Sequence, residues 1–336
     1  MKLHWGILGT GNIARQFVEG VAHAHRGRVL AVASRDPRTA GDFAAQFNLD
    51  RSYGSYDALL DDPAVEAVYV SLPNSLHHEW TIKALQAGKH VLCEKPIAAS
   101  AQQAQEMFDT AQRCGGVLME GFMYRCHPLT QRVLETVRSG VIGPVRLIRT
   151  SFCFRARQTQ GNIRFSAALA GGSLMDVGCY CLSLSRLVAG CEPDQAHATG
   201  HLHESGVDDY AAGTLRFPNG ILASFACGIS VQCDNAAYIC GEEGYIKVPV
   251  PWKPPVNQAR YLIAALPPPR QDPVPRVPAP PREFEVDAHL PLYALEADDF
   301  AAAVLDGAAP AVSRQDTLGN MRLLDELRRQ VGVPVP

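Results

Sequence analysis

Three short stretches of this 336-residue chain carry side chains suited to moving a proton beside a polar substrate. Glu94-Lys95-Pro96 directly follows the apolar run His90-Val91-Leu92-Cys93. A lysine set just after a buried strand and fixed by a following proline is poorly explained as surface charge. Its ammonium could hydrogen-bond a reacting oxygen and stabilise developing alkoxide charge; a solvated loop lysine is the plainer alternative. Glu94 would be its charge partner or a cofactor ligand, and Lys95-Pro96 is a candidate cis peptide. Leu72-Pro73-Asn74 with His77 follows a second strand end. The third stretch is Gly171-Gly172-Ser173-Leu174-Met175-Asp176-Val177-Gly178-Cys179-Tyr180. Ser173 suits a helix N-cap, and Asp176 and Tyr180 would then be i, i+4 neighbours, beside a buried stripe of Val177, Cys181, Leu184 and Val188. A carboxylate and a phenol on one face suit hydroxyl binding and proton transfer. The phenol's ordinary pKa of about 10 requires a nearby cation, such as Lys95, to bring it down. An Asp–Tyr pair at a wet helix edge is the alternative.

The element that would bring a reaction partner to these groups opens the chain. Leu3-His4-Trp5-Gly6-Ile7-Leu8 reads as a strand, followed by Gly9-Thr10-Gly11-Asn12-Ile13-Ala14 and a helical stretch over 13–24. This is GxGxxA in the strand–turn–helix setting of a dinucleotide site. Gly9 permits the tight turn, Gly11 leaves room for a pyrophosphate, and Ala14 lets helix and strand pack closely. Amides at the helix N-terminus, from Asn12 and Ile13, then face the phosphates. The strand over 29–33 ends in Ser34-Arg35, with Arg38 three residues on. An NAD site usually places a carboxylate there, whereas a hydroxyl and guanidinium groups match the 2′-phosphate of NADP. Asp36 is expected to turn outward before Pro37, so the reading is NADP in preference to NAD.

Strands and helices alternate over the first ~120 residues, as in a doubly wound parallel sheet: strands over 65–70, 90–93 and 117–119, helices over 78–87 and 100–113. Beyond Gly121 the pattern changes. Strands over 146–154, 209–217, 221–229, 236–240 and 245–248, two of them joined at Pro218-Asn219-Gly220, indicate an antiparallel sheet. The expected fold is therefore an α/β Rossmann unit (1–121) with a doubly wound, mostly parallel sheet. It is joined to an α+β unit (122–336) with a large, mainly antiparallel, open-faced sheet. Residues 249–282, rich in proline, are expected to form an extended, partly mobile excursion. Helices over 292–305 and 316–330 finish the chain.

The net charge of −3 at pH 7, with charges interspersed, offers no basic stripe for nucleic acid and no polybasic cluster for a membrane surface. No apolar run is expected to reach the ~20 residues that span a bilayer, and the opening strand leaves no room for a signal peptide. The ten cysteines are scattered, many within apolar elements, and read as reduced, mostly buried thiols of a cytoplasmic protein. Cys179-Tyr180-Cys181 lacks zinc-site spacing, and no metal ligand set is assigned. His197, His201 and His203 read as solvated or turn residues.

The segments GILGTGNIA, LPNSLHHEW, AGKHVLCEKP, EGFMYRCHP and GGSLMDVGCYC, in this order, resemble the glucose-fructose oxidoreductase / inositol dehydrogenase / MocA family. They are most similar to the branch with dimeric dihydrodiol dehydrogenases and NADP-dependent xylose or glucose dehydrogenases. The resemblance implies that Lys95 and Tyr180 are a catalytic pair and that Asp176 helps bind the reacting hydroxyl. It also implies that Arg125 and His77 line the cleft and that the second unit's sheet is a homodimer surface. Tyr180 stands where many inositol dehydrogenases have histidine, which favours an aldose or dihydrodiol over inositol. The expected function is hydride transfer between NADP(H) and a CH–OH or C=O carbon of a sugar or cyclic diol, foremost an aldose oxidised at C1. The expected cofactor residues are Gly9, Gly11, Asn12, Ile13, Ser34, Arg35, Arg38, Leu72, Asn74, His77, Glu94, Lys95 and Arg125. A non-catalytic NADP(H) sensor is the contrasting class; the joint presence of Lys95, Asp176 and Tyr180 argues for the enzyme.

Overall fold

An apolar strand that runs straight into a glycine turn starts the first sheet. In the computed structural model, which describes residues 2–266 and 280–336, β1 (Leu3–Leu8) is joined by β2 (Gly27–Ala33), β3 (Arg51–Tyr53), β4 (Ala67–Val70), β5 (His90–Glu94) and β6 (Leu118–Gly121). All six are parallel, in the order β3-β2-β1-β4-β5-β6. Every residue of β4 is buried, as a parallel sheet covered on both faces requires. The crossovers are α1 (Asn12–Val21), α2 (Pro37–Phe47), α3 (Tyr56–Leu60), α4 (Asn74–Gln86) and α5 (Ala101–Cys114). Strand order reverses between β1 and β4, so their carboxyl ends part and leave a crevice. That crevice collects the residues singled out in the sequence.

The helix α6 (Pro128–Arg138) and the helix α7 (Cys179–Ala189) lead into an eight-stranded second sheet. Its strands are β7 (Val145–Cys153), β8 (Gln195–Leu202), β9 (Asp208–Arg216), β10 (Leu222–Gly228), β11 (Ala237–Gly241), β12 (Gly244–Val248), β13 (Ala259–Ala265) and β14 (Arg282–Val286), ordered β14-β13-β12-β11-β7-β10-β9-β8. All neighbours are antiparallel except β7 and β10. The period of two puts Ile148, Ala223, Phe225 and Ile239 inward, against α7 among other elements, while Leu147, Leu222 and Tyr210 stand exposed on the other face. The sheet is open-faced, as the sequence pattern predicts.

Four expectations need correction. Residues 249–282 are not a loop throughout: β13 lies within them and β14 begins at Arg282. Prolines flank β13 without interrupting it, and its Ala259 and Tyr261 alternate inward, so the ladder keeps its donors. Pro267, Pro268 and Pro269 lie outside the described residues. Secondly, the sequence reading groups the helix over 292–305 with the second unit, whereas α8 (Leu292–Asp306) lies on the first sheet. Phe300 packs on Trp5 with ring centroids 5.0 Å apart. Asp298 accepts the backbone amides of His25 and Arg26 at 3.0 and 2.7 Å. Thirdly, segment Ala167–Ala189 is long and apolar enough to span a bilayer, but 78% of its most apolar window is buried inside the protein, so it is a core segment that ends in α7. Finally, His201 is no mere solvated residue: its ring stacks on Tyr210 and its Nδ1 lies 2.7 Å from Asp209. All ten cysteines are free thiols, and only Cys114 and Cys233 are exposed.

Candidate active site

Gly9 has φ +101°, and a Cβ there would lie 3.1 Å from the Ser71 carbonyl oxygen and 3.2 Å from Leu72. The turn therefore needs glycine both for its left-handed backbone and for the approach of the β4 end. A Cβ on Gly11 would meet nothing within 4 Å; the space above it is open, and α1 begins at Asn12 with Gly11 as its cap residue. Open space over amides at a helix N-terminus fits a pyrophosphate, with Leu72 closing one side of the turn. At the end of β2, Asp36 caps α2: its carboxylate accepts the Arg38 amide at 3.0 Å and the Thr39 hydroxyl at 2.9 Å. That carboxylate is turned into the helix, leaving half-buried Ser34 and exposed Arg35 and Arg38 to meet whatever occupies the ribose position. Arg35 lies beside the Tyr56 hydroxyl, whose pKa burial raises and Arg35 draws down.

β5 delivers Lys95 to the cleft, and the Lys95-Pro96 bond is cis. The Lys95 ammonium donates to the Asp176 carbonyl oxygen at 2.8 Å and lies 3.3 Å from its carboxylate. Arg164 donates to the same carboxylate from Nε at 2.6 Å. Burial works against both charges, yet each supports the other: Asp176 and Lys95 together leave the lysine pKa raised and the aspartate pKa lowered, with Arg164 adding to the second effect. Asp176 sits in a single wide π-type turn, Leu174–Gly178, ahead of α7. Ser173 does not cap it. The Ser173 hydroxyl donates to Asp208 at 2.6 Å, and Asp208 accepts the Leu174 amide at 2.7 Å. Gly172 makes this possible, since a Cβ there would fall 2.3 Å from the Asp208 carboxylate.

Tyr180 flanks Lys95 in a way the sequence did not foretell. The ammonium lies 5.1 Å from the centroid of its ring, a cation–π contact, while the hydroxyl donates to Met123 Sδ at 3.4 Å. The ring packs edge-on against Phe122, Phe152 and Trp252. Burial, followed by nearby acids led by Glu94, pushes the phenol far above its ordinary pKa. The expectation that Lys95 lowers the phenol's pKa does not hold in this form, because the cation faces the ring and not the oxygen.

Three further assignments change. His77 is fully buried, with its ring nitrogens 2.9 and 2.7 Å from the Pro96 and Leu72 carbonyl oxygens. It joins the two strand-end loops beneath the cleft and does not line it, and burial lowers its pKa. Arg125 is turned away toward the C-terminal helix α9 (Arg314–Gln330), pairing with Asp316 at 2.7 Å and donating to the Ala311 carbonyl at 3.2 Å. Glu94 is not the charge partner of Lys95, a role Asp176 takes. It is buried and accepts the Tyr69 hydroxyl, and burial raises its pKa although Lys95 opposes this. Asn74 donates to the Ala170 carbonyl at 2.8 Å, tying the Rossmann unit to the loop before Gly171. Sequence reasoning missed Arg164, in a single short helical turn, Asp208, the first residue of β9, and Trp252 and Lys253, in a proline-rich stretch without periodic signal.

A Rossmann crevice whose rim carries a lysine, a carboxylate and a phenol defines a nicotinamide-dinucleotide oxidoreductase. Residues 3–122 match an oxidoreductase family model with an NAD-binding Rossmann fold, and residues 130–247 match the GFO/IDH/MocA C-terminal domain. The chain belongs to the Gfo/Idh/MocA oxidoreductase family. It is 36% identical over 324 residues to D-xylose 1-dehydrogenase (NADP(+)) 2 of Haloferax volcanii, covering 96% of this chain and 95% of that one. Over 344 residues it is 31% identical to the trans-1,2-dihydrobenzene-1,2-diol dehydrogenase of Bos taurus, covering 100% and 99%. A solved 3-ketoreductase from Actinomadura kijaniata, in complex with NADP and TDP-benzene, superposes with a TM-score of 0.87 at 31% identity, covering 98% of both chains.

Proposed function

We propose that this enzyme is an NADP-dependent dehydrogenase that oxidises a pyranose aldose at C1 to the lactone. The observation that carries the reading is the Lys95 ammonium, fixed at 2.8 Å on Asp176 and against the Tyr180 ring at the mouth of the dinucleotide crevice. Gly9, Gly11, Asn12, Ile13 and Leu72 would hold the pyrophosphate side of NADP; Ser34, Arg35 and Arg38 would hold its 2′-phosphate. NADP, when bound, supplies the carbon that takes the hydride leaving C1. Asp176 holds the Lys95 ammonium that donates to the reacting hydroxyl oxygen, and so helps orient that hydroxyl while its one proton faces Tyr180. Tyr180, as the phenolate, takes the proton from that oxygen, and Lys95 stabilises the negative charge that develops on the reacting oxygen. In the free enzyme the hydroxyl rests on Met123, a weak acceptor it can leave without great cost.

A cyclic trans-dihydrodiol is the second substrate class, favoured by the aromatic wall of Phe122, Phe152, Tyr180 and Trp252. We further take residues 1–121, with α8 packed on them, as the cofactor domain and the rest of 122–336 as the substrate domain. The exposed outer face of the second sheet would serve as a homodimer surface, and the reduced thiols suit a cytoplasmic setting. Following NADPH absorbance with a panel of aldoses, polyols and dihydrodiols tests the reading. Turnover of aldoses supports it, and turnover of dihydrodiols alone moves the assignment to the second class.

A further inference from the structure

The loop after β12 brings an extra cation to the site. Trp252 is buried, donates from its indole to the Ser151 carbonyl at 2.8 Å, and stacks on Phe152 with centroids 5.7 Å apart. Pro254 is buried as well. Lys253, between these two anchors, is exposed and set on the wall beside Tyr180, whose ring lies 5.9 Å from that of Trp252. Its ammonium is close enough to Lys95, Glu94, Asp176 and Arg164 to interact with all four. Asp176 is already shared by Lys95 and Arg164, and Glu94 is turned inward to Tyr69. Among the described residues, no carboxylate forms an ion pair with Lys253. Arg164 is partly exposed and engages Asp176 through Nε, so its terminal nitrogens remain available as donors.

We propose that the substrate carries an anionic group, a carboxylate or a phosphate, and that Lys253 and Arg164 bind it. The proposal rests on the aldose reading above, in which the substituent on C5 is separated from the reacting C1 only by the ring oxygen and C5 itself. An anion on that substituent would restore charge balance to a site where three cations meet the single carboxylate of Asp176. Although Lys253 as a residue is exposed, desolvation of its ammonium, followed by repulsion from Lys95, holds its pKa below the usual lysine value, with Glu94 and Asp176 opposing this. The cofactor's phosphates do not account for it. They belong to the ends of β1 and β2, whereas Lys253 faces the end of β5, two strands or roughly 10 Å across the sheet from β1.

The experiment compares D-galacturonate, D-galactose 6-phosphate and D-galactose as substrates with NADP, using the parent, Lys253→Met and Lys253→Arg. In the parent, kcat/KM for at least one anionic sugar exceeds that for galactose. Lys253→Met lowers this anionic-to-neutral ratio by about ten- to a hundredfold, the usual effect of losing a charge-assisted hydrogen bond. The loss falls chiefly on KM, and Lys253→Arg recovers part of it. The anion that leads identifies carboxylate or phosphate as the recognised group. A parental ratio at or below one overturns the proposal, as does a ratio unmoved by Lys253→Met. Weaker NADPH binding with the ratio unchanged would assign Lys253 to the cofactor and also overturn it. Calorimetric binding of galacturonate to the enzyme–NADPH complex separates the two levels of inference. Lys253-dependent binding without oxidation of any aldose supports the anion site and sinks the aldose reading; oxidation of neutral aldoses without such binding does the reverse.

Discussion

Replacing Tyr180 by phenylalanine isolates one oxygen atom. The ring keeps its contacts with Phe122, Phe152, Trp252 and the Lys95 ammonium, and the hydroxyl gives up a bond to the Met123 thioether at 3.4 Å. Sulfur is a weak acceptor, so stability should fall by less than about 1 kcal/mol. A proton carrier in the reaction, by contrast, contributes about 10²–10⁴-fold to turnover. The expected outcome is an unchanged melting temperature within a few degrees, NADPH affinity close to the parent's, and kcat lowered by that factor. Lys95→Met should lose a comparable amount of turnover. Its stability cost should stay under about 3 kcal/mol, because Arg164 remains on Asp176 at 2.6 Å and the buried carboxylate is not orphaned. The double mutant should be far less than multiplicatively worse. The pH profile adds a sign: burial holds the phenol above its ordinary pKa, so the phenolate fraction, and with it kcat/KM for oxidation, climbs with pH through the neutral range. Tyr180→Phe should flatten that climb. Near-parental turnover by Tyr180→Phe on the identified substrate would refute the assignment.

Arg35→Ala should weaken NADP binding by about 1.5–3 kcal/mol and leave NAD comparatively untouched; equal losses in fluorescence titrations would refute the ribose assignment. Buried Glu120 accepts the Ile97 amide at 3.0 Å, and burial raises its pKa from 4.5 to about 7. A carboxyl whose folded pKa is raised contributes stability below its unfolded pKa and loses it as pH rises through the folded value. Between pH 4.5 and 7 the parent should therefore lose about 3 kcal/mol relative to Glu120→Gln, and a pH-independent difference between their melting temperatures would exclude this. The outer face of the second sheet, with Leu147, Leu222 and Tyr210 exposed, should pair with a second copy. A monomer by light scattering at micromolar concentration would count against the interface without touching the catalytic assignment.

The sequence alone was enough to place the Rossmann unit, because each crossover there is written in local terms. An apolar strand leads into Gly9, Gly88 stands in left-handed backbone just past the end of α4, and Ser100 caps α5 with Gly115 ending it. Lys95, Asp176 and Tyr180 were legible for the same reason: strand ends and helix turns declare themselves in residue type and spacing. What the sequence could not decide was direction and partner. His77 and Arg125 occupy the expected stretches, but one is held by two backbone carbonyls and the other by Asp316 on α9, nearly 200 residues away in the chain. Only the tertiary structure sets which neighbour a long side chain meets, since those neighbours are distant in sequence and leave no periodic trace. The same holds for α8, whose apolar face could have covered either sheet. It holds too for Trp252 and Lys253, where proline suggested a bare loop and packing against Phe152 made a wall of the site.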